Sequence, residues 1–312
     1  MNLFASILTY PAPSANYRGE SEENRTVIQK ITLGRFEYPI ISPEAMRNAL
    51  REILRGYGLP SNRERLNDED QLAVKFQDYP DPDRYVDDFI FGYLVAAGPA
   101  DRKKILADIK AKNRDESQFH FKRDSVLRMN LARSLEPYRN NAVFTQSPLT
   151  VASEGAPNFK NSGSSALLHR ETSLTAFVYP FALNLDDCKA KPEWTKALLR
   201  AIGELSNVAG NHARSYFEMA PASIVLRLTP QLVAGYDTYG FDHSGGFPEV
   251  VDGLLRDQPD YSASEFYFGG KIVKDMPSDR IQALEKAGAT LDRDPRRLLA
   301  TVAQKCFAAK GA

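Results

Sequence analysis

The sequence has little of what marks several large classes of protein. Its two cysteines, Cys188 and Cys306, form no C-x-x-C motif, which argues against a disulfide framework and favours a reducing compartment. The forty basic and forty acidic residues cancel, so only a local basic patch would attract a nucleic acid. No apolar run approaches the roughly 18 residues of a membrane-spanning helix, and the N-terminal segment lacks the basic start of a secretion signal. We therefore expect a cytoplasmic protein without a membrane partner.

Motifs for metal binding and for common catalytic mechanisms are also lacking. The four histidines do not have metal-ligand spacing, and no cysteine is near enough in sequence to complete a zinc site. There is no G-x-S-x-G motif, and FGGKIV lacks the upstream glycine and the Ser/Thr of a phosphate-binding loop. The neighbours Asp87 and Asp88 point to different faces, which favours a cap or a structural hydrogen bond over acid-base chemistry. We predict no metal, no cofactor and no catalytic residue.

What is present is an alternation of apolar strands and amphipathic helices. Residues 3–10 alternate as a strand, and TVIQKITL and FEYPII flank Gly34-Arg35 as the arms of a hairpin. A helix over residues 42–58 follows, and a second helix over 192–210 lies between the strands SLTAFVYPFALNL and ASIVLRLT. This order predicts an α+β fold, an antiparallel sheet with helices on one face, arranged on a ferredoxin-like plan.

Long polar segments interrupt that plan. Residues 11–24 are predicted to be a loop. Residues 61–121 combine a polar stretch with a charged, weakly amphipathic helical segment and are interpreted as an inserted region. Residues 140–170 are rich in Ser, Asn, Gly and Pro, which predicts a projecting hairpin or flap. We expect a single domain over residues 1–312, in which the part from residue 235 onward has no assigned role.

The first helix carries a row of arginines that its stability does not explain. Ser42 is placed to cap it, and Leu50 lies on its apolar face. Steps of four residues drift by about 40°, so Arg47, Arg51 and Arg55 spread over only about 80° on the other side. Like charges at this spacing repel by about 0.2–0.5 kcal/mol per pair. A solvated face is the plain interpretation, and an anion-binding edge is the functional one.

Further polar and basic residues are candidates for the same surface. Taken singly, each of them also fits a structural role, whereas together they are the kinds of donor that contact phosphate. They are Asn16 and Arg18 in the first polar loop, Lys122 and Arg123 in KRDSVLRMNLARSLEPYR, His169 and Arg170 at the end of the flap, and Asn211, His212 and Arg214 in the turn GNHARSYF.

Several of these stretches occur together in one known family. SPEAMRNALREIL, YVDDFIFGYLVA, RDSVLRMNLARSLEPY, LLHRETSLTAFVYPFALNL and GNHARSYFE resemble, in this order, the DevR-type CRISPR-associated family of the RAMP superfamily, the backbone subunits ("Cas seven") of type I Cascade complexes. The resemblance covers roughly residues 1–230. It implies a modified RNA-recognition-motif fold with large insertions and a projecting thumb hairpin. It also implies that several copies bind one CRISPR RNA without cutting it.

The resemblance implies roles for particular positions. The basic residues of the first helix, here Arg47, Arg51 and Arg55, would meet the RNA backbone. The flap would be the thumb that reaches the neighbouring copy, and His169 matches a histidine near the RNA path. The candidates for an apolar wedge that displaces a base are Leu149, Val151 and Phe159. The implied partners are CRISPR RNA, further copies in a helical row, other Cascade subunits and the target DNA strand that pairs with the guide.

The sequence departs from the family in two motifs. It has neither the aromatic RNP1 string of an ordinary RNA-recognition motif nor the loop G-x-G-x-x-x-x-G of some relatives. We therefore expect RNA contacts from edges and helices rather than stacking on the sheet face. Both a defence complex and a guide-RNA-directed transposon fit this resemblance.

Two other classes of function remain as alternatives. One is a metal-dependent RNA endonuclease subunit of a type III-like complex, although the first loop offers only glutamates and no aspartate. The other is an assembling or metabolic α+β protein whose arginines are solvated. Co-purifying RNA distinguishes the leading interpretation from the second alternative, and metal-dependent cutting distinguishes it from the first.

Overall fold

The computed structural model describes residues 1–14, 17–22, 25–65, 74–146, 167–208 and 217–307. The strands are β1 Asn2–Thr9, β2 Ala12–Ser14, β3 Tyr17–Glu22, β4 Arg25–Ile28, β5 Lys30–Leu33, β6 Phe36–Ile41, β7 Arg63–Arg65, β8 Val74–Phe76, β9 Tyr93–Leu94, β10 Lys122–Arg123, β11 Leu127–Met129, β12 Ala132–Ser134, β13 Asn141–Gln146, β14 Leu167–Thr175, β15 Phe177–Asn184, β16 Pro221–Thr229, β17 Phe266–Gly270 and β18 Thr290–Asp292. The helices are α1 Pro43–Gly56, α2 Val86–Phe91, α3 Pro99–Ala111, α4 Leu185–Cys188, α5 Pro192–Gly203, α6 Pro248–Leu254, α7 Lys271–Asp275, α8 Ser278–Ala287 and α9 Pro295–Phe307.

A large sheet forms the centre of the molecule, with the strand order β18-β17-β16-β1-β15-β12-β6-β5 and β11 also paired with β15. β1 is antiparallel to both of its neighbours, so that Leu3 pairs with Leu183 and with Leu228. The part β16-β1-β15-β11/β12, with α1 after β1 and α5 between β15 and β16, has the ferredoxin-like order. The predicted α+β class and plan are confirmed.

The first helix forms where the sequence predicts it. Ser42 precedes the helix in an extended conformation, and its hydroxyl accepts a hydrogen bond from the backbone N–H of Ala45 at 3.2 Å. Pro43 occupies the first turn, where it has no hydrogen bond to lose. The apolar face, with Met46 and Leu50 at its centre, is buried in a core that also contains side chains of α5 and α9.

The opposite face of the sheet is covered as well, which the sequence analysis did not predict. Val178, Val225 and Phe268 on the sheet pack with Phe247 and Val250 of the segment from residue 236 onward, which also supplies β17 at the side of β16. The central strands are therefore buried on both faces, which explains their nearly continuous apolar sequences. Aromatic stacking of bases on this sheet face is blocked, in agreement with the missing RNP1 string.

Two other segments differ from the expectations. The stretch 11–24, predicted to be a loop, contains β2 and β3. The stretch 123–138 received no strand assignment, yet it supplies β11 and β12, which are too short for an alternating pattern to stand out. The hairpin prediction is confirmed, because Leu33 pairs with Phe36 across a two-residue turn in which Gly34 has a φ of 62°.

A smaller sheet joins the two ends of the predicted flap to the N-terminal strands. β13 and β14 are antiparallel, with Phe144 opposite His169, which confirms a hairpin arrangement for the described ends of 140–170. β14 also pairs in parallel with β4, where His169 lies beside Arg25. Glu171 is buried, and its carboxylate accepts the backbone N–H of Ile28 at 3.1 Å. The division of the chain into a palm, an inserted region and a thumb remains a prediction.

Candidate nucleic-acid interface

The arginine row of α1 is less open to solvent than its spacing predicts. Only Arg55 is fully exposed. Arg51 is half-buried, and its guanidinium lies 4.7 Å from the centre of the Phe91 ring at the end of α2. Arg47 donates a hydrogen bond of 3.4 Å to the carbonyl oxygen of Leu127 in β11. Helical periodicity placed these side chains away from the α1 core, but it did not reveal that α2 and β11 lie alongside.

Two further arginines come to the same place. Arg63, at the start of β7, donates a hydrogen bond of 2.7 Å to the carbonyl oxygen of Gly92, directly after Phe91. Arg128, on β11, is close enough to Arg47 to disfavour its charge. Together with Arg123, which lies beside the turn after α2, these arginines form a group that we call the arginine cluster. Its members are Arg47, Arg51, Arg63, Arg123 and Arg128.

Arg123 enters the cluster through the turn that follows α2. Its guanidinium lies 5.3 Å from the ring centre of Phe89, and β10 pairs it with Tyr93. Gly92 has a φ of 63°, and a Cβ atom there would lie 2.4 Å from the Arg123 carbonyl oxygen, so only glycine fits this crossing. The neighbouring Lys122 is 72% exposed and lies 3.7 Å from Asp124, outside the cluster.

The positive charges of the cluster are poorly compensated. Burial lowers the pKa of Arg51 to about 9, and the next largest cause of the lowering is the neighbouring Arg63. Burial also lowers the pKa of Arg47. The negative charges of Asp87 and Asp88 act in the opposite direction and raise the pKa of Arg51. A like-charged, half-buried group is stabilised by an incoming anion more than an exposed one is.

Hydrogen-bond donors of the cluster also lack partners. The Nε atoms of Arg47, Arg51 and Arg123 are buried without an acceptor. Over the residues that the structure describes, none of the five guanidinium groups forms an ion pair with a carboxylate. Guanidinium groups bind oxyanions through short, charge-assisted hydrogen bonds. The arrangement is therefore suited to phosphate groups.

A second group of predicted residues lies on the smaller sheet. The His169 ring packs edge-on against Phe144, with their centres 4.3 Å apart. Arg170 follows on the other face of β14. Arg18 belongs to β3, which pairs with β4 beside β14. The chain runs from β4 through the β5–β6 hairpin directly into α1, so the smaller sheet is connected through this hairpin to the helix that carries Arg47 and Arg51.

Comparison with known proteins identifies relatives of the chain. No protein-family model matches it. A curated CRISPR-associated protein Cas7/Cst2/DevR of Myxococcus xanthus (strain DK1622) is 29% identical over 298 residues, which cover 92% of either chain. Along nearly its whole length, the chain is similar to a Cas7/Cst2/DevR protein.

Solved structures agree with this fold. A chain of a CRISPR RNA-guided surveillance complex superposes with a TM-score of 0.58, at 13% identity over 98% of this chain and 100% of that one. A chain of such a complex in a pre-nicking state gives a TM-score of 0.57 with the same identity and coverage. The curated relative confirms the resemblance noted in the sequence, and the solved structures confirm the fold.

Some predicted site residues lie outside the described residues, and their roles stay predictions. They are Asn16, Asn211, His212 and Arg214 among the RNA-binding candidates and Leu149, Val151 and Phe159 among the wedge candidates.

The sequence alone does not predict that Arg63 belongs to the site. Its neighbours in the chain are polar, no spacing links it to α1, and its position depends on Asp87, which lies far along the sequence. Arg128 was visible only as one of several basic residues in its segment. In the described ranges, no three His, Cys, Asp or Glu side chains come together as metal ligands, and no helix has the length and apolarity needed to cross a bilayer.

Proposed function

We propose that this chain is a non-catalytic CRISPR RNA-binding backbone subunit of a type I Cascade effector complex. Several copies line up along the guide RNA and present its bases for pairing with target DNA. The observation that carries the proposal is the arginine cluster, with its unpaired donors and its half-buried, only partly compensated charge.

The cluster is suited to the backbone of RNA rather than to its bases. Phosphate contacts fix the register of a nucleic acid and carry no sequence information. A backbone subunit needs this property, because one protein must hold guides of many sequences. The covered face of the central sheet leaves base edges free for pairing, since its aromatic side chains, such as Phe268, are buried and offer no stacking surface.

The charge balance of the chain fits assembly into a row. A subunit with equal numbers of acidic and basic residues repels its neighbours less than a highly cationic one would. Head-to-tail contacts between identical copies generate open helical rows. We propose that the region 140–170 reaches the next copy, and that His169, Arg170 and the strand carrying Arg18 border the RNA where the two copies meet.

The test uses charge reversal in the first helix. We expect Arg47→Glu combined with Arg51→Glu to leave the fold intact and to weaken binding of single-stranded RNA equally for unrelated sequences. The slope of log K against log salt should become shallower by about 0.7 for each phosphate that the protein no longer neutralises. The matched control is Arg256→Glu, since Arg256 is 60% exposed and ion-paired with Asp260, and it follows α6, which packs in the core layer that does not contain α1.

The measurement is filter binding or fluorescence anisotropy over a salt series, with circular dichroism to check folding. Unchanged affinity in the double variant would refute the assignment. Cleavage of bound complementary RNA in the presence of a divalent metal would replace the non-catalytic role with that of a type III-like nuclease.

A further inference from the structure

The neighbours Asp87 and Asp88 are both 0% exposed, although the proposed function gives them no role. Each is bound to the segment that precedes β7. Asp87 accepts the backbone N–H groups of Asn62 at 2.8 Å and of Arg63 at 3.0 Å with its two oxygens. Asp88 accepts the side-chain amide of Asn62 at 2.8 Å. The prediction of a structural hydrogen-bonding role for these acids is confirmed. One of the hydrogen bonds is made by the backbone N–H of Arg63, a member of the arginine cluster.

Asn62 carries the same network onward. It is fully buried, and its side-chain oxygen accepts the backbone N–H of Asp78 at 2.9 Å. Its backbone carbonyl oxygen accepts the N–H of Gln77 at 2.7 Å. Asp88 also accepts the N–H of Asp81 at 2.9 Å. The backbone of residues 62–63 is therefore held by hydrogen bonds with Gln77 and Asp87, so a ligand that binds Arg63 does not have to order this part of the chain.

The Arg63 side chain extends from this fixed backbone toward Arg51. Its guanidinium lies 5.1 Å from the Phe76 ring centre and bonds the Gly92 carbonyl oxygen through Nη2. Arg51 stacks on Phe91, the residue immediately before Gly92. Both guanidinium groups thus lie by the end of α2, close enough for the charge of Arg63 to disfavour that of Arg51. An oxyanion bound between them offsets this repulsion and takes up donors of both groups.

We infer that Arg63 and Arg51 bind one backbone phosphate together, and that the buried pair Asp87 and Asp88 positions Arg63 for this contact. The inference rests on the proposed function for the identity of the ligand, the phosphate of a single-stranded RNA. The carboxylates act through Arg63 and Asn62 and do not touch the RNA. Their negative charges also compensate part of the Arg51 charge, which reduces the cost of the repulsion between Arg51 and Arg63 in the RNA-free protein.

The first arm of the test replaces Arg63. Arg63→Met should weaken binding of a fluorescent oligouridine by about tenfold, as expected for one hydrogen bond to a charged group. The salt slope should become shallower by about 0.7. Arg63→Lys should keep the slope and lose part of the affinity, because an ammonium keeps the charge but not the planar fork. Arg256→Met is the control and should change neither quantity.

The second arm tests positioning with a double-mutant cycle. Asp87→Asn should reduce the affinity and the salt slope as much as Arg63→Met does, and it should cause no further loss in the Arg63→Met background. A general structural effect of Asp87 would instead lower the affinity equally in both backgrounds, and that result would overturn the positioning role. If Asp87→Asn does not fold, Asp88→Asn replaces it in the same cycle, because Asp88 holds the adjacent Asn62.

The outcomes separate this inference from the proposed function. If Arg63→Met leaves affinity and slope unchanged while the Arg47→Glu, Arg51→Glu variant loses binding, the shared phosphate site is refuted and the backbone role stands. If neither variant changes RNA binding, both the shared phosphate site and the proposed RNA-binding function are refuted. Oligodeoxythymidine serves as a second probe: an equal loss for DNA and RNA supports a phosphate contact, whereas a loss confined to RNA would mean that Arg63 contacts the ribose, against the inference.

Discussion

Replacing Arg51 with methionine tests two expected effects of its positive charge. The charge lowers the free energy of unfolding of the RNA-free protein, and it increases the affinity for RNA. The substitution keeps an unbranched side chain against the Phe91 ring, where a thioether packs well. It removes a cation whose pKa is lowered to about 9, mainly by burial. Each unit of pKa corresponds to about 1.4 kcal/mol between the charged and neutral forms. The free protein therefore carries a substantial penalty at this position, which Asp87 and Asp88 only partly offset.

The expected size of the effect follows from that penalty. Replacing buried ionic groups with apolar groups of similar volume is neutral or stabilising by about 1–4 kcal/mol. Arg51 is only half-buried, and Asp87, Asp88 and the Phe91 ring offset part of the cost of burying its charge. We therefore expect the free energy of unfolding of the RNA-free protein to rise by about 1 kcal/mol. That gain corresponds to an increase in Tm of about 2 °C for a chain of this size.

The assay compares urea unfolding and RNA binding on the same preparations, stripped of nucleic acid. We expect Arg51→Met to be more stable than the parent and to bind RNA less tightly, which is the usual opposition between stability and function at a binding site. Arg256→Met, at an exposed ion pair, should change neither property appreciably. A loss of more than about 1 kcal/mol in the RNA-free Arg51→Met protein would mean that Arg51 is a structural partner of Asp87, and it would refute the reasoning.

Two further predictions test elements that support the cluster. Gly92→Ala should reduce the free energy of unfolding, measured by urea titration, by about 2–3 kcal/mol. The reason is that the φ of 63° at Gly92 and the 2.4 Å approach to the Arg123 carbonyl oxygen exclude a Cβ atom. An unchanged free energy of unfolding would mean that β10 can move aside without cost. Ser42→Ala should cost about 1 kcal/mol through loss of the bond to Ala45, whereas Ser42→Asp should retain stability, and equal losses in the two variants would exclude a capping role.

What the sequence predicts well is what local chemistry determines. α1 is visible from Ser42, Pro43 and the apolar spacing that includes Leu50, all within four turns of one helix. The β5–β6 hairpin is visible from Gly34, because a two-residue turn that begins with φ > 0 favours glycine. Neither prediction needs information about distant parts of the chain.

What the sequence does not predict depends on contacts between distant segments. β11 and β12 are strands because β15 and β6 lie beside them, and three residues give no periodic pattern. The second layer over the sheet depends on the pairing of β17 with β16. For the candidate site, helical spacing identifies Arg47 and Arg51 but not the half-burial of Arg51 against Phe91, since α2 is far along the chain. Arg63 was missed for the same reason.

The double covering of the central sheet divides the apolar interior into two layers, and only one of them contains side chains of α1. Val178 and Val250 belong to the other layer, where exchange for another apolar residue of similar volume costs less than about 1.5 kcal/mol. Substitutions of Met46 or Leu50 in the first layer would instead shift the helix that carries Arg47 and Arg51. The global stability of the chain can therefore be adjusted in one layer without disturbing the other.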